Sequence, residues 1–177
     1  ERELAVVPPD MANMKNRLEE VEGKLCTLEM QTEDAENLSR HNNIRLIGVP
    51  KKTENGRMLD FLELWLKEQA APEGLSPYYA LERAHRVPAK PPVARAPPRP
   101  IVARLLHFRD RDHILTKARM KGDLQIGNSK VMIFPDFTRA VQKKRASFQG
   151  VKRRLRQIWL HYGMLFPAHL RVVTEHG

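Results

Sequence analysis

The residues of this 177-residue chain that could do chemistry are chiefly cations. Between positions 141 and 156 stand Lys143, Lys144, Arg145, Lys152, Arg153, Arg154 and Arg156, with no acidic residue among them. Ammonium and guanidinium groups gathered in this way hold phosphate oxygens; they do not by themselves break bonds. The groups that would break bonds are not arranged to do so. The His residues, at 41, 85, 107, 113, 161, 169 and 176, have no metal-ligand spacing. The lone Cys26 excludes a Cys-based zinc site and an internal disulfide. There is no Gly-rich phosphate loop and no G-x-S-x-G elbow. The chain is therefore expected to bind rather than catalyse, with no metal or organic cofactor.

The charge is also divided along the chain. Residues 1–40 carry 5 Lys/Arg and 10 Asp/Glu, whereas residues 41–177 carry 26 and 11. Such asymmetry signals a partner, and the fitting partner for the basic part is a polyanion: RNA, DNA or an anionic membrane. No apolar run approaches the roughly 20 residues that span a bilayer. No signal-peptide pattern opens the chain, and its start, Glu-Arg-Glu-Leu without Met, is expected of a piece of a longer protein.

The acidic part has a heptad pattern. Met11, Leu18, Leu25 and Thr32 fall at position a; Met14, Val21, Leu28 and Ala35 fall at d. This apolar stripe is narrower than the face of a helix packed on its own domain. Arg17 and Lys24 at g would meet Glu22 and Glu29 at e of the next heptad on a parallel neighbour. Arg17-Leu-Glu-Glu-Val-Glu22 resembles a motif associated with short parallel three-stranded coils, so a trimer is expected, with Leu18, Val21, Leu25, Leu28, Arg17 and Glu22 at its interface. Cys26, at position b, is given no role. About four heptads are marginal alone, and a longer coil upstream is expected.

The chain changes character at Asn42-Asn-Ile-Arg-Leu-Ile-Gly-Val-Pro50. Ile44–Val49 reads as a buried strand ended by Pro50. Met58–Gln69 has a helical apolar face, broken by Pro72-Glu-Gly-Leu-Ser-Pro77. Tyr79–Val87 reads as a second strand. Residues 88–100 form a proline-rich, basic, extended loop. Ile101–Phe108 reads as a third strand. A helix capped by Asp110 or Asp112 should run to Lys121 and end at Gly122. Leu124–Ile126 and Lys130–Phe134 flank Gly127-Asn128-Ser129 as a hairpin. Strand, helix, strand, strand, helix, strand is the split βαβ order of RNA-recognition motif (RRM) domains and of many unrelated proteins. The aromatic residues that stack bases on the first and third strands of such domains are missing here. Stacking on the sheet is therefore not expected to be the main mechanism.

Thr138–Tyr162 reads as one long helix, with Val141, Phe148, Val151, Leu155, Ile158 and Tyr162 as its apolar stripe. Such a basic amphipathic helix would also suit a membrane surface or calmodulin. Gly163–Val173 reads as a turn and a final strand, which favours a small second domain and no membrane partner.

Several motifs together resemble a known family. They are Asn42–Pro50, Glu82-Arg-Ala-His-Arg-Val-Pro88, Pro98-Arg-Pro-Ile-Val102, Ala118-Arg-Met-Lys-Gly122, Val141-Gln-Lys-Lys-Arg145 and Leu165-Phe-Pro-Ala-His-Leu170. Over residues 11–173 the chain resembles the RNA-binding protein of the first open reading frame of LINE-one (long interspersed element) retrotransposons, the transposase 22 family. The resemblance implies an α+β chain. It would have a parallel coiled coil, an RRM-like split βαβ domain and a small α/β C-terminal domain. It implies a homotrimer that coats single-stranded RNA, and also single-stranded DNA. Such a trimer acts as a nucleic-acid chaperone and packages the element transcript with the element's reverse transcriptase. Cytoplasmic ribonucleoprotein particles with nuclear access are implied as well. By motif, the RNA contacts would be Asn43, Arg45, Arg99, Arg119, Lys121, Lys144 and Arg145. Phe166 stands where the family often has Tyr. Arg119-Met-Lys-Gly122 departs from the family's Arg-Glu-Lys-Gly.

The expected boundaries are then an upstream or disordered segment over 1–10, the coil over 11–39, the RRM-like domain over 43–136 and the C-terminal domain over 137–177. The competing reading is a coiled-coil interaction scaffold of the same fold that binds no RNA.

Overall fold

The computed structural model describes residues 9–70, 79–88 and 96–173. The expectations for residues 1–8, for the break at Pro72–Pro77, for residues 89–95 of the proline-rich loop and for residues 174–177 lie outside the described residues. The chain divides after Leu38 into two compact units.

The first unit is the helix α1, Pro9–Ser39, whose last residue belongs to the second unit. Asp10 in its first turn favours the helix N-terminus electrostatically. Exposed ion pairs Lys24–Glu20 (2.6 Å) and Lys15–Glu19 (3.9 Å) stand one turn apart. Each adds only about 0.3–0.5 kcal/mol. Met11, Met14, Leu18, Val21, Leu25 and Leu28 are each 54–69% exposed. Lys24, expected to reach across to a neighbouring helix, lies on Glu20 of its own.

The second unit is mixed α+β. Its strands β1 (Asn43–Ile47), β2 (Leu81–Arg86), β3 (Ile101–Leu105), β4 (Leu124–Ile126) and β5 (Ser129–Pro135) form an antiparallel sheet of order β2-β3-β1-β5-β4. Helix α2 (Met58–Ala70) follows β1, and α3 (Phe108–Lys121) follows β3. Side chains alternate across a strand. Ile44 and Leu46 of β1, Ile101, Ala103 and Leu105 of β3, and Val131 and Ile133 of β5 therefore share one face. They are buried with Leu62 and Leu66 of α2 and Ile114 and Leu115 of α3. Each fully buried aliphatic contributes about 1.5–3 kcal/mol, and this is the core. The polar ends of its aromatics are satisfied: Trp65 Nε1 donates to the Gln125 carbonyl (3.1 Å), and the Tyr79 hydroxyl to that of Ala70 (3.0 Å).

The opposite face carries Arg45 beside Val102 on one side and Phe134 on the other, with Ile47 beside Met132. At the end of β1, Gly48 (φ 95°) lets the backbone approach the Lys130 carbonyl so closely that a Cβ would collide with it. Arg86 ties the loop after β1. It holds Glu54 at 2.7 Å and 2.9 Å and donates to the carbonyls of Val49, Pro50 and Arg99.

Several boundaries differ from expectation. The third strand stops at Leu105, and α3 starts at Phe108 after an extended His107. Neither Asp110 nor Asp112 caps it, because both already lie inside the helix. Gly122 (φ 69°) ends it as expected. The hairpin turn is shorter, since Ser129 already belongs to β5.

The long C-terminal helix is two helices, α4 (Arg139–Ser147) and α5 (Gln149–Gln157). At the break, the Ser147 hydroxyl donates to the Lys144 carbonyl (2.7 Å), a back-bond of the kind that bends helices, and the Phe148 N–H turns to the Ala146 carbonyl. Thr138 caps α4 by accepting from Val141 N. Only Val141 and Leu155 of the expected stripe are buried; Val151 and Ile158 are exposed. The final segment is a hairpin rather than a single strand: β6 (Tyr162–Leu165) and β7 (His169–Val172) flank a cis Phe166–Pro167 bond.

Candidate nucleic-acid interface

Asp136, directly after β5, is only 4% exposed and gathers four donor atoms from three residues. Arg45 Nε and Nη2 both donate to its Oδ1, at 3.0 and 2.8 Å. Arg40 Nη1 (3.1 Å) and Asn43 Nδ2 (3.2 Å) donate to Oδ2. Charge-assisted bonds to a buried carboxylate hold these donors strongly. Arg45 is thus pinned, with Nη1 and one Nη2 hydrogen still unspent on Asp136. Asn43 is buried, and its Oδ1 has no partner among the described residues.

Arg45 lies on the floor of a cleft of about 540 Å³ on the open side of the sheet. One wall is β5, with Phe134, Pro135 and the following Phe137. The other is a face of α4 and α5: Gln142, Arg145, Ala146, Gln149, Lys152 and Arg156. Arg119 from α3 completes it. Among the described residues, no acid lines this cleft. Arg45 is compensated by Asp136. Among the described residues, no carboxylate forms an ion pair with Arg119, Arg145, Lys152 or Arg156.

Most of these cations are held by neutral acceptors. Arg145 Nη1 donates to the carbonyls of Leu165 (3.1 Å) and Pro167 (3.0 Å), and Nη2 to that of Met164 (3.3 Å). Its guanidinium lies 4.6 Å from the centre of the Phe137 ring. Burial, and secondarily the nearby Arg119 charge, lower the Arg145 pKa. Arg156 Nε donates to the Tyr162 hydroxyl at 2.7 Å. Lys152 Nζ reaches the Arg145 carbonyl at 3.5 Å, a weak contact. Arg119 is exposed. Cations confronting one another without a carboxylate make a site for an anion.

Of the residues singled out by sequence, Arg45, Arg119 and Arg145 meet in this cleft, and Asn43 supports it from below. Arg99, Lys121 and Lys144 do not line it. Arg99 is exposed, and its carbonyl accepts from Arg86. Lys121 Nζ donates to Gln69 Oε1 at 2.9 Å. Lys144 is an exposed residue of α4. Leu18, Val21, Leu25 and Leu28 are exposed along α1, with Arg17 and Glu22 exposed beside them. Sequence reasoning missed Asp136, Phe134 and Phe137; it counted Lys152 and Arg156 among the basic residues of the C-terminal helix but did not single them out as contacts. A signal existed for some of them: Gln142, Arg145, Gln149, Lys152 and Arg156 recur at helical spacing, as one polar face beside the apolar stripe. No group of His, Cys, Asp and Glu among the described residues could hold a metal ion. Nor is any described helix long and apolar enough to cross a membrane.

Comparison with known proteins points the same way as the motifs. No family model matches the chain. It is 26% identical to the mouse LINE-1 type transposase domain-containing protein 1 over 91% of its own length and 24% of that protein's. The human protein of that name is 25% identical over 75% of the chain and 15% of its own length. The mouse LINE-1 retrotransposable element ORF1 protein is 27% identical over 54% of the chain and 27% of its own length. The chain thus spans from 15% to 27% of the length of these curated relatives. The similarities bear out the resemblance to the LINE-one first-open-reading-frame family.

Proposed function

We propose that this chain is a retrotransposon-associated protein that binds single-stranded RNA as a homotrimer, without catalysing a reaction. The observation that carries this reading is the cleft in which Arg119, Arg145, Lys152 and Arg156 meet without a carboxylate among the described residues. Phosphate contacts of that kind hold any sequence and position a strand rather than read it. The order β2-β3-β1-β5, with α2 after β1 and α3 after β3, fits an RRM-like split βαβ domain. The exposed stripe of α1 fits a parallel coiled coil. A trimer of such modules would coat its RNA, act as a chaperone and package the transcript into a cytoplasmic particle with nuclear access. The similarity to a LINE-1 ORF1 protein supports this reading and makes the element's reverse transcriptase a fitting companion. Single-stranded DNA, which offers the same phosphates, is a second ligand of the cleft.

The test pairs light scattering of the whole chain with an RNA titration at several salt concentrations. A mass of three chains is expected. Four cations engaging four phosphates give a slope of log affinity on log salt of about −3 per protomer. Affinity should then fall about 50-fold between 50 and 200 mM salt. A trimer that binds no RNA would leave an interaction scaffold in place of this function. Binding that ignores salt would remove the phosphate mechanism.

A further inference from the structure

The strand β5 alternates between two environments. Val131 and Ile133 are buried in the core, whereas Met132 and Phe134 point to the open face and are 42% and 45% exposed. Phe134 has Arg45 as its cross-strand neighbour and lines the cationic cleft. It differs from the other aromatic ring of that cleft. Phe137 is already engaged, with Arg145 over its face at 4.6 Å and Phe166 at 6.2 Å. No ring or guanidinium stacks on Phe134 among the described residues.

An exposed phenyl ring on a sheet face has a bland explanation, since aromatics are favoured in strands. That explanation accounts for the residue type. It does not account for an open ring beside Arg45 in a cleft whose other cations, Arg119, Arg145, Lys152 and Arg156, form no ion pair with a carboxylate among the described residues. A planar apolar ring beside phosphate-binding cations is the combination that single-stranded nucleic acid uses: backbone to the cations, base to the ring.

We propose that Phe134 is a base-stacking platform, on which one nucleobase of a bound single strand lies while the flanking phosphates meet the cations of the cleft. The inference rests on the RNA-binding reading above and adds its ligand contact to the base. It moves the stacking position from the first and third strands, where the sequence lacks aromatics, to the edge of β5 that faces the cleft. Stacking on a ring tolerates every base but favours the larger purines, so a modest preference for adenine over uracil runs follows.

The test measures binding of a 12-nucleotide oligoadenylate, the matching oligouridylate and inorganic polyphosphate to the whole chain and to Phe134→Ala, Phe134→Leu and Phe134→Trp. Phe134→Ala and Phe134→Leu should each weaken oligoadenylate binding about 5- to 150-fold, with the salt slope unchanged. Their preference for adenine should vanish, polyphosphate binding should hold, and Phe134→Trp should retain full affinity. The Leu variant keeps an apolar strand residue, so its loss cannot be blamed on folding. If the unaltered chain binds none of the three polymers, the RNA-binding reading itself fails. If it binds oligoadenylate and Phe134→Leu binds equally well, stacking is overturned and the phosphate cleft stands. An equal loss for polyphosphate would also overturn stacking, because the ring would then only support the cations.

Discussion

Replacing Arg145 by Ala should loosen the C-terminal hairpin as well as weaken binding. Arg145 is the fork that fastens β6 and the turn after it to α4, through three carbonyls and the face of Phe137. A hydrogen bond from a charged donor contributes about 1.5–3 kcal/mol, and an exposed cation–π contact about 0.5–1 kcal/mol. These terms share one guanidinium and do not add. The carbonyls lie near the surface, where water would replace the lost donor. About 3 kcal/mol is therefore the expected loss for the whole fork. None of β6 or β7 is fully buried, and besides the fork the hairpin is held by the bond from Arg156 to the Tyr162 hydroxyl and the contact of Phe166 with Phe137. A loss of that size raises the population of the open hairpin about 150-fold.

Amide hydrogen exchange resolves this directly. In Arg145→Ala, the amides of residues 162–172 that pair across β6 and β7 should exchange about 150-fold faster, while those of β1 and β3 keep their protection. Arg145→Lys keeps the charge but not the fork, and should fall between. Arg119→Ala makes the contrast. It has no carbonyl to hold, so exchange should not change, while the salt slope for RNA should shrink by about 0.7. Hairpin protection in Arg145→Ala equal to that of the unaltered chain would refute the clamp and leave Arg145 as a simple ligand contact.

Two further substitutions probe the supports of the site. Asp136→Ala strands Arg45, Arg40 and the buried Asn43 together, so urea denaturation should show a loss of about 3 kcal/mol; an unchanged midpoint would remove Asp136 as the anchor. The hydrogen bond from Arg86 holds the Glu54 carboxyl below the usual carboxylate range. A depressed carboxyl stabilises the fold above its unfolded pKa and loses that effect as pH falls through the folded value. The stability gap between the unaltered chain and Glu54→Gln should therefore be full at pH 6 and close toward pH 3. A gap that ignores pH would contradict the assignment.

Much of the sheet was legible because its strands are short apolar runs with clear stops: Pro50 ends the first, and Gly122 and Gly127 mark a helix end and a turn. The alternation that buries Ile44, Leu46, Ile101 and Leu105 and leaves Arg45 on the open face became visible only in the structure. The cleft was less legible, for a physical reason. Arg45 and Asp136 lie 91 residues apart, and an ion pair between remote residues leaves no local pattern. The break at Phe148 leaves the apolar spacing of 141–162 intact and so is invisible to periodicity. Lys144 and Arg145 are adjacent in sequence but about 100° apart around a helix, so one lines the cleft and the other does not.

The cations of the cleft are thus of two kinds. Arg45, Arg145 and Arg156 are oriented in advance by Asp136, by three carbonyls and by the Tyr162 hydroxyl. Arg119 and Lys152 are not comparably fastened. A ligand phosphate that meets a pre-oriented guanidinium avoids the cost of ordering it, about 0.5–1.5 kcal/mol per long side chain. The same fastening makes those residues poor probes of binding, since removing one also removes a bond that shapes the cleft. Arg119 and Lys152 are the residues whose loss should change affinity and salt dependence while leaving the fold alone. Phe134 should change affinity while leaving the salt dependence alone. Those separate responses would distinguish a site that holds the backbone from one that also holds a base.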